Sequence, residues 1–166
     1  MLTFKDIQEA YEILKPVVRR TPLEKSKTFS DLIKTNIYLK EENLQTTGSF
    51  KIRGAYNKIY HLTKEERKIG VVCASAGNHA QGVAYASTQM GVKSTVFMPI
   101  YTPPTKIIAT KSYGATVVLE GVTYDDAAFA AKKYAEEKKT TFVHAFNDDF
   151  VIAGQGTIVI EIFEAL

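Results

Sequence analysis

The chain has 166 residues, 45% apolar and 23% charged, which fits one compact domain, or one domain and part of a second, and excludes disordered, collagen-like and coiled-coil classes. Its 21 Lys and Arg against 18 Asp and Glu leave only +3, too balanced for a nucleic-acid footprint. The longest apolar run, Ala127 to Ala131, is far short of the roughly 20 residues that cross a bilayer. No basic segment leads into an apolar stretch at the N-terminus, so neither a membrane nor an export signal is expected and the chain is expected in the cytoplasm. A single cysteine, Cys73, excludes an internal disulfide and a Cys-based zinc cluster. Its apolar neighbours Val71, Val72 and Ala74 predict a buried, inert thiol. His61, His79 and His144 are too scattered for metal ligation, so no metal is expected.

In chain order, Thr3 and Asp6 form a capping pair ahead of apolar positions Ile7, Ala10, Tyr11 and Leu14. This pattern predicts a helix from Phe4 to Lys15, stopped by Pro16. Thr21, Pro22 and Leu23 read as a turn, Ile37 to Glu41 as a short strand, and a helix is expected from near Ser49 with Lys51 in its first turn. From Arg67 onward strands and helices alternate. The predicted strands are Val71 to Ala74, Ser94 to Met98, Ala115 to Leu119 and Thr141 to His144. The helices between them run from Asn78 to Met90, from Thr102-Pro103-Pro104 to Gly114, and from the Thr123/Asp126 capping pair to Lys139. Short strands separated by helices imply βαβ crossovers, hence a parallel sheet with helices on both faces, an α/β fold. The tail has Gly154 and Gly156 before an apolar, helix-like run from Thr157 to Leu166 that no later element is left to cover.

In an open parallel sheet, ligands bind at the carboxyl ends of the strands. The loop Ser75-Ala76-Gly77-Asn78-His79-Ala80-Gln81-Gly82 leaves the first of these strands and opens a helix. Small residues let a ligand approach the backbone there, and the free N–H groups of the helix start suit a carboxylate or phosphate. A plain strand-to-helix turn capped by Ser75 reads equally well. Lys51, between Phe50 and the small residues Gly54 and Ala55 and near Arg53, is the second candidate. Held in a pocket its ammonium is disfavoured and it becomes an amine nucleophile, whereas on the surface it is a solvated charge. His79 and His144 read as structural or ligand-contact residues rather than general bases. Gly154-Gln155-Gly156 lacks the third glycine of a dinucleotide loop, and neither a nucleoside-triphosphate loop nor a serine-hydrolase elbow is present.

Together, Gly48-Ser49-Phe50-Lys51-Ile52-Arg53-Gly54-Ala55, Ser75 to Ala84, and Ile152-Ala153-Gly154-Gln155-Gly156-Thr157 resemble the threonine dehydratase and serine racemase family of pyridoxal-phosphate enzymes. Arg20-Thr21-Pro22-Leu23 and Leu39 to Gln45 extend the resemblance over nearly the whole chain. The resemblance implies a tryptophan-synthase-β-like architecture, fold type II, acting on a small amino acid with pyridoxal 5'-phosphate as cofactor. By it Lys51 carries the cofactor and later moves the α-proton, Phe50 lines the cofactor ring, and Asn78 bonds its phenolic oxygen. Ser75, with the backbone of Gly77, Asn78 and His79, holds the substrate carboxylate. Serine racemases that resemble this chain place a second serine after Ser75 where this chain has Ala76, so the resemblance favours elimination from L-threonine or L-serine over racemisation. Cysteine synthases share the fold but usually have threonine where His79 stands.

Family members run to about twice this length, and no two of the ten glycines here are adjacent, so the family's glycine-rich phosphate loop is missing from this sequence. The expected organisation is residues 1–66 as the start of a large domain, 67–147 as a small α/β domain, and 148–166 as the return into the large one. A homo-oligomer is expected, in which a C-terminal half completes the site. The chain by itself is expected to be inactive, and the alternative is a catalytically silent fragment or an association module using its apolar tail.

Overall fold

The computed structural model describes residues 2–166. Helix α1 (Phe4–Leu14) starts as its capping pair predicts, with the Thr3 N–H donating to Asp6 Oδ2 at 2.7 Å, and it buries Ala10, Tyr11 and Leu14. Leu23 is not simply part of a turn. It opens strand β1 (Leu23–Lys25), and after α2 (Lys27–Ile33) the chain returns antiparallel as β2 (Tyr38–Lys40), with Leu23 opposite Lys40. Helix α2 went unread in the sequence because it buries no residue, so no apolar stripe marks it; only its Ser26 cap, accepting from the Phe29 N–H, does.

A single 3₁₀ turn, Glu42–Leu44, leads through Gly48 to α3 (Lys51–Tyr60), and α4 (Lys64–Ile69) follows behind the Thr63/Glu66 capping box. Then comes the predicted alternation: β3 (Val71–Ala74), α5 (Asn78–Gln89), β4 (Ser94–Met98), α6 (Pro104–Ser112), β5 (Thr116–Leu119), α7 (Tyr124–Lys138) and β6 (Thr141–Phe142). The four strands are parallel in the order β5-β4-β3-β6, with Val71 of β3 opposite both Ser94 and Thr141. Strand β6 ends sooner than expected, although the Val143 N–H still reaches the Val72 carbonyl at 2.8 Å.

The two faces of the sheet follow the two-residue period of its strands. Val71, Cys73, Val96 and Met98 face α5, through Ala80, Val83 and Ala84, while Val72, Ala74 and Phe97 face Ala127 and Ala131 of α7. Burial pushes the Cys73 thiol up to about 12, the inert state expected of it. The first of these cores also takes in Ala55 and Ile59 of α3 and Val151, so it is continuous from α3 through the sheet to the tail.

The tail departs most from expectation. It is one helix, α8 (Asp149–Phe163), starting well before Thr157, with the Asp148 carboxylate accepting from the Phe150 and Val151 N–H groups at 2.9 and 3.2 Å. Nor is it bare, because α3 and α1 pack against it and Val151, Ala153, Gly154, Thr157 and Glu161 are buried. Gly154, placed by the sequence reading ahead of the helix, lies inside it and is what allows the contact. A Cβ there would lie 2.5 Å from the Arg53 carbonyl oxygen, so only glycine lets α8 and α3 approach backbone to backbone. Ile152, Val159, Phe163 and Leu166 remain exposed.

Candidate active site

Lys51 is the first residue of α3. The chain reaches it through Gly48, whose φ of +70° suits glycine, and through the buried Ser49, whose hydroxyl accepts from the Lys51 N–H at 3.4 Å. The side chain is half-buried. Its Nζ donates to the Ala145 carbonyl at 2.8 Å and sits 5.1 Å from the centre of the Phe50 ring. Burial disfavours the ammonium and lowers the Lys51 pKa below that of a free lysine, so more neutral amine is present at a given pH. Arg53 plays no part in this shift, contrary to the sequence reading. Its guanidinium turns away from Lys51 into carboxylates.

The second candidate stretch lies at the carboxyl end of β3. The Ser75 N–H extends the strand pairing to the Phe97 carbonyl at 3.1 Å, and its hydroxyl accepts from the Gly77 N–H at 3.2 Å. Ser75 therefore shapes the loop rather than capping α5, whose first N–H groups receive no side-chain cap. A Cβ built on Gly77 would meet nothing within 4 Å, so the backbone there faces open space. Asn78 is exposed and opens the helix. His79 is buried, its Nε2–H donating to the Val143 carbonyl at 3.0 Å. That bond assigns the proton to Nε2 and leaves Nδ1 as a buried lone pair with no partner. Desolvation, only partly opposed by the Val143 carbonyl, pushes the His79 pKa down to about 4, so the ring is neutral at neutral pH.

The fold brings the two stretches together. A Cβ on Gly82 of α5 would lie 3.0 Å from the Lys51 carbonyl, so the starts of α3 and α5 cross at contact distance. The segment after β6 closes over the crossing: its Val143 carbonyl takes the hydrogen bond from His79 and its Ala145 carbonyl the one from Lys51. His144 between them folds this segment on itself, Nδ1 accepting from the Phe146 and Asn147 N–H groups at 3.2 and 2.9 Å. Val143 and Ala145 contribute backbone atoms, which side-chain patterns do not reveal, and sequence reasoning missed both.

It also missed the ion network beneath α3. Arg53 is fully buried. Its Nε and Nη2 donate to Glu42 at 2.9 and 2.8 Å, and its Nη1 and Nη2 to Glu161 at 2.6 and 3.1 Å. Lys40 adds a second cation, 2.6 Å from Glu161. Although burial alone raises a carboxyl pKa, the bonds from Arg53 and Lys40 outweigh it and hold Glu161 below its ordinary 4.5. A depressed carboxylate stabilises the fold above its unfolded pKa and loses that contribution as pH falls through the folded value. An acid titration followed by circular dichroism should therefore show unfolding that begins below pH 4.5 in the wild type and a flatter acid limb in Glu161→Gln, from a lower starting stability.

A half-buried amine of lowered pKa, next to an open helix start, is the arrangement that captures an aldehyde and seats an anion beside it. The sequence profile of pyridoxal-phosphate dependent enzymes matches residues 14–166. The chain belongs to that family. It is 57% identical over 166 residues to the L-threonine ammonia-lyase of Thermotoga maritima, covering 100% of this chain and 41% of that relative. Two solved structures superpose closely: the processed form of threonine deaminase isoform 2 from Solanum lycopersicum, at TM-score 0.93 and 40% identity, and maize serine racemase, at 0.94 and 32%. Each is matched over nearly all of this chain, 98% and 99%, and over 45% and 50% of its own length. The chain therefore spans about half, or less, of the relatives it resembles. The residues present fit the cofactor that gives this pyridoxal-phosphate family its name, since Lys51 supplies a carbonyl-reactive amine and the space over Gly77 leaves the start of α5 approachable.

Proposed function

We propose that the protein containing this chain deaminates L-threonine, and L-serine, to 2-oxobutanoate or pyruvate and ammonia, with Lys51 as the residue that carries pyridoxal phosphate. The observation behind this reading is the half-buried Lys51 Nζ, of lowered pKa, placed where α3 crosses the open start of α5. The named activity of the Thermotoga relative gives the substrate. On this reading residues 1–66 and 148–166 belong to one domain, 67–147 form a second, and the full protein associates as a homo-oligomer.

In the reaction, Phe50 lines one side of the cofactor and Asn78, exposed at the first position of α5, bonds its phenolic oxygen. Ser75 and the N–H groups of Gly77, Asn78 and His79 take the substrate carboxylate, which fixes the substrate relative to Lys51. When bound, pyridoxal phosphate supplies the electron sink that makes the α-proton removable. Lys51 Nζ, free of the Ala145 carbonyl, accepts that proton. The β-hydroxyl departs with a proton as water, and a later water replaces the amine by the keto oxygen and releases ammonia, so the net change is amino acid to 2-oxo acid plus ammonia. Formation of 2-oxobutanoate from L-threonine by the full gene product, followed by a coupled dehydrogenase, tests the reading. Its absence with cofactor bound at Lys51 would reject the substrate.

Ala76 favours elimination over the racemase reading that the likeness to maize serine racemase raises. A methyl group cannot exchange a proton, so only the Lys51 side of the substrate carries a base. Ala76→Ser is expected to raise D-serine formation relative to pyruvate formation by about tenfold or more, with about 10²-fold the low end of what a well-placed general base contributes. Equal rates of racemisation and elimination in the wild type would contradict the one-sided site.

A further inference from the structure

The first turn of α3 is built against local preference. It contains two cations, Lys51 and Arg53, has no acidic residue, and its N-cap residue Phe50 offers no side-chain acceptor. Cations at a helix N-terminus oppose the helix dipole, and burying one adds desolvation. Yet Arg53 is fully buried, and all five of its N–H donors are spent. Two go to Glu42 from the turn before α3 and two to Glu161 of α8, and the fifth reaches the Thr157 hydroxyl at 3.2 Å. The carboxylates are themselves held, Glu161 by Lys40 at 2.6 Å and Glu42 by the Thr21 hydroxyl at 2.7 Å. Two cations and two anions leave the cluster neutral. A buried ion cluster of this kind adds little net stability compared with apolar packing, and its best-attested use is to fix geometry.

The geometry the cluster would fix here is that of the first turn of α3, whose backbone two glycines approach closely. Gly82 of α5 and Gly154 of α8 press on its backbone at Lys51 and Arg53, and neither has a side chain to interlock with the helix. Close contact sets the distance between helices, the Gln155 side chain accepts from the Gly54 N–H at 3.1 Å and Ile52 and Ile59 are buried, and the Arg53 fork adds a directional hold on the same turn as Lys51. Residues two apart on a helix point to nearly opposite sides, at roughly 200°. Holding Arg53 on one side therefore aims Lys51 at the other, toward Ala145 and the start of α5. We propose that Arg53 is a positioning residue for Lys51: its guanidinium, clamped between Glu42 and Glu161, fixes the rotation of the first turn of α3 and so places the Lys51 amine in the site. This rests on the reading of Lys51 as the amine that carries the cofactor.

The test measures Lys51 itself. In the full gene product, pyridoxal phosphate is added across a pH series, the adduct is trapped with borohydride, and the labelled Lys51 peptide is quantified by mass spectrometry. Besides Arg53 and its charged partners Glu42, Glu161 and Lys40, the titratable groups around this turn are His79 on α5, neutral at these pH values, and His144 on the covering segment, whose pKa burial also lowers. Neither histidine titrates in the alkaline range of the midpoint. Arg53→Lys, which keeps the charge and loses the fork, should swing Lys51 toward solvent and raise the midpoint of capture by about one pH unit, a tenfold loss at fixed pH below it. Glu161→Gln should shift it in the same direction and is the deciding variant if Arg53→Lys fails to fold. Lys58→Met is the control, since it breaks the ion pair to Asp148 at 2.6 Å, near the other end of α3, and should lower Tm without moving the midpoint. Unshifted midpoints in both network variants, with Lys51 labelled in the wild type, would reduce the network to a structural role and overturn the inference. No label on Lys51 in the wild type would instead overturn the reading on which it rests, and the inference with it.

Discussion

Lys51→Ala in the full gene product should abolish capture of pyridoxal phosphate and lower threonine turnover by roughly 10⁴-fold or more, because under the proposed function one side chain supplies both the amine that holds the cofactor and the base that moves the α-proton. Stability should barely change. The side chain is half-buried, and its one hydrogen bond runs to the Ala145 carbonyl, a net contribution of about 1 kcal/mol. Lys51→Arg should not restore activity, since a guanidinium stays protonated at any working pH and is neither nucleophile nor base. Borohydride trapping with peptide mapping, run beside thermal unfolding, separates the cases. A pyridoxyl group on another lysine would reject the assignment, and an inactive variant that is also unfolded would show that Lys51 holds the fold rather than the cofactor.

The sheet was legible from sequence because β3, β4 and β5 each carry a short apolar run that a helix signal follows. Val71 to Ala74 is continuous apolar sequence buried on both faces, and the Thr123/Asp126 pair caps α7 as written. Lys51 and the Ser75 to Gly82 loop were legible as motifs, each with a bland reading beside the functional one, and the fold brings the two stretches together. What the sequence withheld has a physical reason in each case. Helix α2 has no buried face, so periodicity had nothing to detect. The Val143 and Ala145 carbonyls act through the backbone, which any residue provides. Arg53 finds its carboxylates 11 residues before it and 108 after it, a separation over which one sequence carries no pairing signal. The helix of the tail was started too late, at Thr157, because Gly154 and Gly156 lie ahead of the apolar run. In the fold Gly154 meets backbone and Gly156 meets the Ile7 side chain, so both are contact positions inside a helix.

Three alanine substitutions should separate the glycines that build the fold from the one that leaves room for a ligand. At Gly154 a Cβ would lie 2.5 Å from the Arg53 carbonyl oxygen and 2.7 Å from the Gly54 Cα. Neither is the end of a flexible side chain, so the two helices must part. Gly154→Ala should cost about 3 kcal/mol, the upper end for overpacking a core, and lower Tm by roughly 6–12 °C in a chain of this size. Because the displaced backbone lies two to three residues from Lys51, cofactor capture should fall with it. Gly156→Ala meets only the Ile7 side chain, with its Cδ1 at 2.9 Å, which can rotate aside, so its cost should stay below about 1 kcal/mol. At Gly77 the added Cβ meets no protein atom within 4 Å, and φ there is not in the left-handed range. Gly77→Ala should therefore leave Tm within about 2 °C of wild type. Binding is where it should fail, because the methyl group enters the open space through which, under the proposed function, the substrate carboxylate reaches the N–H groups at the start of α5. A misplacement of about 1 Å at a reacting centre costs on the order of 10²-fold, and a loss of that size in kcat/KM with Tm unchanged is the expected result. If Gly77→Ala turned over threonine normally, the carboxylate would have to bind elsewhere, and the open space over Gly77 would lose its role in the site.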